Sequence, residues 1–430
     1  MNVLGHDCIL RAEMWDKMHY ILRRYNDHMA HYCLFYEGQA DISLLTQSLQ
    51  LLLNSAPVLR SRFVTTPLWS FWQVTDVTVS DVLRVFETET PEEDALQFLL
   101  QEIPLDSPAQ LRMAVFRRED RFALALLVNH MCLDGSDTLY FFRMLCQNYN
   151  ALAEGRAPLL LRHGSRSHTK IYADLPPLQK LRAETMFRYR DKIRDSVYFP
   201  LTPVDPEDRR HLIFRAVAGD TLDRIIAYAK AHDATLNDLL TAAVIDVLYE
   251  LCGIGRDKPF SVSYSLNLRR HMADAGASTG LTNHVAWMTC RTESNKADFP
   301  SLLRSVKASM DEGKADPYAG MHTLPLLSFA CCALPLCITD PVVPLVYDNP
   351  HFELSNLGHI RSGEYAFRDA RLTGGHLTGA VKRKPMFFLS ISHFDDSLVL
   401  STAFFGNDRD EETINAFFYK LMLLLTDLKS

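Results

Sequence analysis

The chain has 430 residues, 47% of them hydrophobic and 23% charged, and a formal net charge of -7. That is enough apolar material for two or three domain-sized cores, which excludes bulk disorder, and the acidic balance argues against a duplex nucleic-acid reader, which needs a dominant cationic face. The nine cysteines, at 8, 33, 132, 146, 252, 290, 331, 332 and 337, are odd in number and form no CxxC pair, so no metal site and no disulfide framework is indicated, and reduced cytoplasmic thiols are expected.

The first residues, 1–7, carry no basic region followed by an apolar stretch, so no secretory signal is expected. Strands are expected over 31–36, 71–74 and 82–87, with a helix over 42–53. Thr90-Pro91-Glu92-Glu93 reads as a helix start, with a threonine cap, proline at the first helical position and glutamate three after the cap, leading into 95–100. Segments 111–116 and 122–128 predict a hairpin about the charged Arg118-Glu119-Asp120 turn, and a helix follows over 136–153, stopped by Gly155.

Over 195–208 the pattern changes to a stretch holding Pro200, Pro203 and Pro206 without helical period. It divides the chain into an N-terminal lobe, 1–195, a linker, 196–208, and a C-terminal lobe, 209–430. In the second lobe strands are expected over 212–217 and 260–266, helices over 222–231 and from Thr235 to Leu251, a hairpin over 386–405 turning at Asp395-Asp396, and a last helix over 411–428. The apolar segment 324–346 is broken by Pro325, Pro335, Pro341 and Pro344 and carries Asp340, so it offers no uninterrupted membrane span; it is expected to be buried or to wall an apolar cavity, with a loose membrane contact through this surface as the lesser alternative. No fixed-period repeat is visible.

The chemistry is expected at His130-Met131-Cys132-Leu133-Asp134-Gly135, where an apolar strand ends and an amphipathic helix begins. A histidine at a strand end, with a carboxylate four positions on, suits an oriented base beside a cleft; a structural hydrogen bond or a helix cap is the alternative for the same spacing. Cys132 reads as a packing residue. From Arg156 to Arg194 ten Lys or Arg face three acids, a patch suited to phosphates or an acidic partner, or to an ordinary solvated helix.

Several blocks in order resemble the chloramphenicol acetyltransferase-like, CoA-dependent acyltransferase superfamily, in the branch of condensation domains, polyketide-associated acyltransferases, wax-ester synthases and alcohol acetyltransferases. They are Pro57 to Phe63, Pro104-Leu105-Asp106-Ser107-Pro108 with Leu111-Arg112, the histidine motif, Ala234 to Leu240, Asn267-Leu268-Arg269, Asn283, and Leu354-Ser355-Asn356-Leu357-Gly358. The chain departs at Asn129, where many condensation domains have a first histidine; the functional second one is retained as His130.

The resemblance implies a mixed α/β fold, a pseudo-dimer of two lobes with an active-site tunnel between them. It implies an acyltransferase moving an acyl group from a CoA or carrier-protein thioester to an alcohol or amine, with His130 as general base and no covalent acyl-enzyme. Asp134 and Arg269 would form a structural salt bridge across the cleft, Gly135 would let the chain turn, Ser355 and Asn356 would serve the oxyanion or line the tunnel, and Arg188 and Arg190 would contact CoA or a carrier. No permanently bound cofactor or metal is expected, the acyl-CoA or acyl-phosphopantetheine being a substrate, and the protein is expected to be a cytoplasmic monomer without nucleic-acid partners. The 324–336 stretch with Phe387, Phe388, Phe404 and Phe405 would suit an acyl chain, or is core. A second class of reading is a catalytically silent relative that uses the fold as a recruitment module.

Overall fold

The computed structural model describes residues 8–162, 164–172, 175–179, 181, 197–272, 280–293, 298–321, 324–346 and 349–428. Two large sheets organise it. The first has five strands in the order Ala370–Thr378, Met29–Gly38, Arg121–Asn129, Leu111–Arg118 and Leu83–Glu87. The second has six, in the order Val285–Arg291, Ser261–Asn267, Phe352–Ile360, Phe387–Phe394, Ser397–Gly406 and Arg209–Ala218. A three-stranded sheet of Ile9–Arg11, Ser70–Val74 and Ser61–Thr65 stands beside the first.

The central strand Arg121–Asn129 shows why a continuous apolar run forms a strand here. Alternate side chains point to opposite faces: Phe122, Leu124, Leu126 and Val128 enter the larger core with the helices Ile42–Ser55 and Gly135–Ala153, whereas Ala123, Ala125 and Leu127 meet Ala95, Phe98 and Leu99 of the helix Pro91–Leu99. A sheet covered on both faces has no polar side to alternate with. The second sheet carries its own core with the helices Asp220–Ala231, Leu236–Leu251, Phe299–Ala315 and Asp408–Asp427.

Three expectations change. The two lobes are not closed sequential units at 195 and 209: the strand Ala370–Thr378 pairs with Met29–Gly38 in the first sheet, and the early helix Met14–Ile21 packs against Leu268, Ala286 and Leu324. Long-range strand pairing leaves no local trace in the sequence. The helix at 91 begins as expected, but the Thr90 side chain accepts no backbone N–H. Val82 ends a short helix, Val79–Val82, and the strand starts at Leu83.

The segment 324–346 forms two helices, Leu324–Ala333 and Leu336–Val346. It is buried on one side only, with Phe329, Ile338, Val342 and Leu345 exposed, so burial covers half of what was expected. No helix among the described residues is long and apolar enough to cross a membrane.

Candidate active site

The strand Arg121–Asn129 delivers His130 to the junction of the two halves, and the turn after it is held from several sides. The His130 N–H donates to the His28 carbonyl at 2.6 Å, and the Asn129 N–H to the Gln110 carbonyl at 2.8 Å. The Asn129 side chain donates to Gln110 Oε1 at 2.8 Å and accepts from the Met131 N–H at 2.9 Å. Asn129, buried, thus secures the loop by hydrogen bonds. Arg166 binds the Met131 carbonyl at 2.9 Å while its guanidinium sits on Asp16 at 2.8 and 3.0 Å.

Asp134 caps the helix Gly135–Ala153, accepting from the Asp137 N–H at 2.9 Å. Its other oxygen accepts from Arg269 Nη1 at 2.6 Å and from the His284 N–H at 2.8 Å. Asp137, one turn along, accepts from Arg269 Nη2 at 2.7 Å, from the Thr282 N–H at 2.9 Å and from Arg162 at 2.7 Å. Burial pushes the Asp134 carboxyl up, but the Arg269 charge and these donors overcome it and hold the group below the usual carboxylate range. Burial and the Asp134 charge push Asp137 up to about 6 against the two arginines. The cluster is a bolt between the halves.

At Gly135 an added Cβ would meet Leu357 Cδ2, the end of a half-buried side chain that would have to shift. The backbone there approaches the opposite side of the cleft closely.

His130 opens onto a cavity of about 1140 Å³, solvent at its mouth included, together with Trp15, His19, Asn283, Ser355 and Lys382. Asn283 orders the imidazoles. Its amide oxygen accepts from the Val285 N–H at 3.1 Å, so its nitrogen faces His19 Nε2 at 2.8 Å, the His130 carbonyl at 3.2 Å and His130 Nδ1 at 3.1 Å. The rings of His19 and His130 stack with centroids 5.3 Å apart. Burial lowers the pKa of His130, opposed by its hydrogen bond to its own carbonyl and by the Asp134 charge. Burial, and then the neighbouring His130, lower His19 further. Both rings are neutral near pH 7.

Ser355 and Asn356 lie on the strand Phe352–Ile360, not in a turn, and both face the cavity. Asn356 donates to Asn237 Oδ1 and accepts from the Gly358 N–H at 2.7 Å. Gly358, at φ +83°, sits where the pairing with Phe387–Phe394 is broken between Asn356 and His359. Phe388 also lines the cavity, but the 324–336 stretch does not, and Phe387 and Phe404 belong to the second core. Cys132 is buried with its thiol 3.7 Å from the Val58 carbonyl, and burial pushes its pKa up, so it packs inertly. Arg188 and Arg190 lie outside the described residues.

Sequence reasoning missed His19, Asp137, Arg162 and the buried pair of Lys382 with Glu353, 2.8 Å apart at the cavity. Only Asp137 left a signal, as an acid one helical turn after Asp134.

The two-sheet mixed α/β fold with a histidine-lined cavity at the junction is the fold class that the motifs implied. The condensation-domain family matches residues 17–325, and the chain belongs to that family. Its fold is similar to the first condensation domain of the calcium-dependent antibiotic synthetase, solved with a substrate analogue, at 16% identity over 99% of this chain and 97% of that one, TM-score 0.70. It is similar to polyketide synthase associated protein 5 from Mycobacterium tuberculosis at 16% identity over 98% and 100%, TM-score 0.66, and to the X-domain from teicoplanin biosynthesis at 15% over 99% and 97%, TM-score 0.60. These likenesses carry the pseudo-dimer architecture of the fold. No curated protein sequence matches the chain significantly.

Proposed function

We propose that the protein transfers an acyl group from a coenzyme A or carrier-protein thioester to an alcohol or amine, giving an ester or amide. The observation that supports this reading is His130 at the cavity, its Nδ1 3.1 Å from the Asn283 amide nitrogen. With the Asn283 amide hydrogens directed to His19 Nε2 and the His130 carbonyl, His130 Nδ1 keeps the ring proton and donates to its own carbonyl. Nε2 then offers its lone pair to the cavity.

The acceptor O–H or N–H passes its proton to Nε2 as its oxygen or nitrogen attacks the thioester carbonyl. The tetrahedral intermediate expels the thiolate, which takes the proton back from the imidazolium. No acyl-enzyme forms, and no cofactor is needed beyond the thioester itself. The Ser355 hydroxyl and the Asn356 amide are the proposed donors or lining groups around the oxyanion. The base contributes on the order of 10²–10⁴-fold, and alignment of two substrates in one enclosure much of the rest. Arg188 and Arg190 are proposed to meet the phosphates of CoA or an acidic carrier.

A panel of acyl-CoAs and acyl-loaded carrier proteins, offered against pooled alcohols and amines with mass-spectrometric detection, tests the reading. Ester or amide product supports it. A protein that binds thioesters and makes no product with any acceptor is instead the silent recruitment module.

A further inference from the structure

The helices Leu324–Ala333 and Leu336–Val346 are apolar on both sides. Their inner side, with Leu327, Cys331, Leu336 and Val343, packs in one core with Met14, Met18 and Ile21 of the helix Met14–Ile21. Their outer side is uncovered: Phe329 is 64% exposed, Ile338 44%, Val342 43% and Leu345 83%. On the second helix 338, 342 and 345 share one face. The turn between Ser61–Thr65 and Ser70–Val74 joins this patch, because the Leu336 and Cys337 N–H groups donate to the Leu68 and Pro67 carbonyls at 3.1 and 2.9 Å. That turn adds Leu68 and Trp69, 51% and 63% exposed.

A helix apolar all round is covered on all sides in its working state, and contiguous patches of this kind mark interaction sites. The charges around the patch say what covers it. Asp340, the one charged residue of 324–346, is held by Arg23 at 2.7 Å and by Arg24 at 3.4 Å. Lys17 donates to the Cys331 carbonyl at 2.6 Å and Arg11 reaches Cys332 Sγ at 3.7 Å. Four cations therefore rim an apolar face whose one acid is already paired. Helices of 10 and 11 residues reach about half of the roughly 30 Å hydrocarbon core, so they can lie in an interface but cannot span it.

We propose that this face docks on an anionic lipid surface, with the two helices in the interfacial plane, Trp69 at headgroup depth and Arg11, Lys17, Arg23 and Arg24 against the lipid phosphates and carboxylates. The docked face lies across the helix Met14–Ile21 from the cavity, which that helix lines with Trp15, Met18 and His19. The cavity wall thus stands one helix away from the lipid, whatever the reaction inside it.

The test uses the full chain with vesicles of phosphatidylcholine alone and of phosphatidylcholine with phosphatidylserine, read by co-sedimentation and tryptophan emission, with sedimentation velocity run without lipid. Expected are binding that favours the anionic vesicles, a blue shift that Trp69→Phe removes, and a monomer in solution. The doubly substituted Ile338→Glu/Leu345→Glu, altered only at exposed positions and checked for an unchanged thermal transition, should partition at least about tenfold less. Equal binding to both vesicles, no binding to either, binding that survives the double substitution, or a dimer that the substitution dissociates each overturns the proposal; the last would assign the face to a second copy of the chain.

Discussion

The Asp134 carboxylate meets the Arg269 guanidinium at 2.6 Å, one residue at the start of the helix behind the motif histidine and the other beside the end of a strand in the opposite sheet. Asp134 is fully buried and Arg269 nearly so. No hydrogen bond joins Asp134 to the His130 ring; its oxygens go to Arg269 and to the Asp137 and His284 N–H groups.

Arg269→Ala should therefore destabilise the protein by about 3–5 kcal/mol, because it leaves the buried Asp134 without its counter-charge, and Asp134→Ala should cost less, because Arg269 keeps Asp137. Urea denaturation measures this. Removing both, as Asp134→Asn/Arg269→Gln, should cost less than the sum of the single changes, since no orphaned charge of the pair remains. Additive losses would show that the pair is not coupled.

Gly135→Ala brings a methyl against Leu357 Cδ2 and should cost about 1–3 kcal/mol through overpacking. Adding Leu357→Ala should recover part of the loss. A fully stable Gly135→Ala protein would mean that the strand bearing Leu357 yields freely.

How much of this was legible in the sequence follows from what each element depends on. The hairpin carrying Asn129 and the helix opened by Asp134 are local structures, and apolar runs about a charged turn and a capping carboxylate announce them. The strand Ala370–Thr378 was not announced, because its place beside Met29–Gly38 is settled by a partner more than three hundred positions away. The motif histidine could be found, but not His19, which meets it only in the folded chain, by ring stacking and through the Asn283 amide. The outer face of the helix Leu336–Val346 misled for a physical reason: apolar composition reports a tendency to be covered, not the identity of the cover.

Buried histidines should make the fold acid-sensitive. Burial drives His31 down to about 4, and His284 and His376 to about 3. These groups take protons near pH 6.5 when unfolded but not when folded, so their contribution is complete above 6.5 and is lost as pH falls toward the folded values. His31 alone accounts for on the order of 3 kcal/mol by pH 4. Urea midpoints should drop steadily from pH 7 to pH 5, and a constant midpoint would contradict the burial of these rings.

Burial likewise lowers His130, so the acid limb of kcat/KM should fall below pH 6.5, with activity flat through neutrality. Asn283→Leu removes the amide that faces His19 and the His130 carbonyl and loosens the placing of both rings, and kcat should fall by a substantial part of the about 10²–10⁴ that a positioned base supplies. Asn283→Leu with unchanged kcat and a native fold would show that the Asn283 amide does not govern the ring.

The most direct measurement is single-turnover product formation from a pre-bound acyl thioester, native protein against His130→Ala, with thioester affinity determined for both. A base acting at the cavity predicts a rate lower by about 10²–10⁴-fold in the variant with affinity unchanged. Equal rates in the two proteins would contradict it.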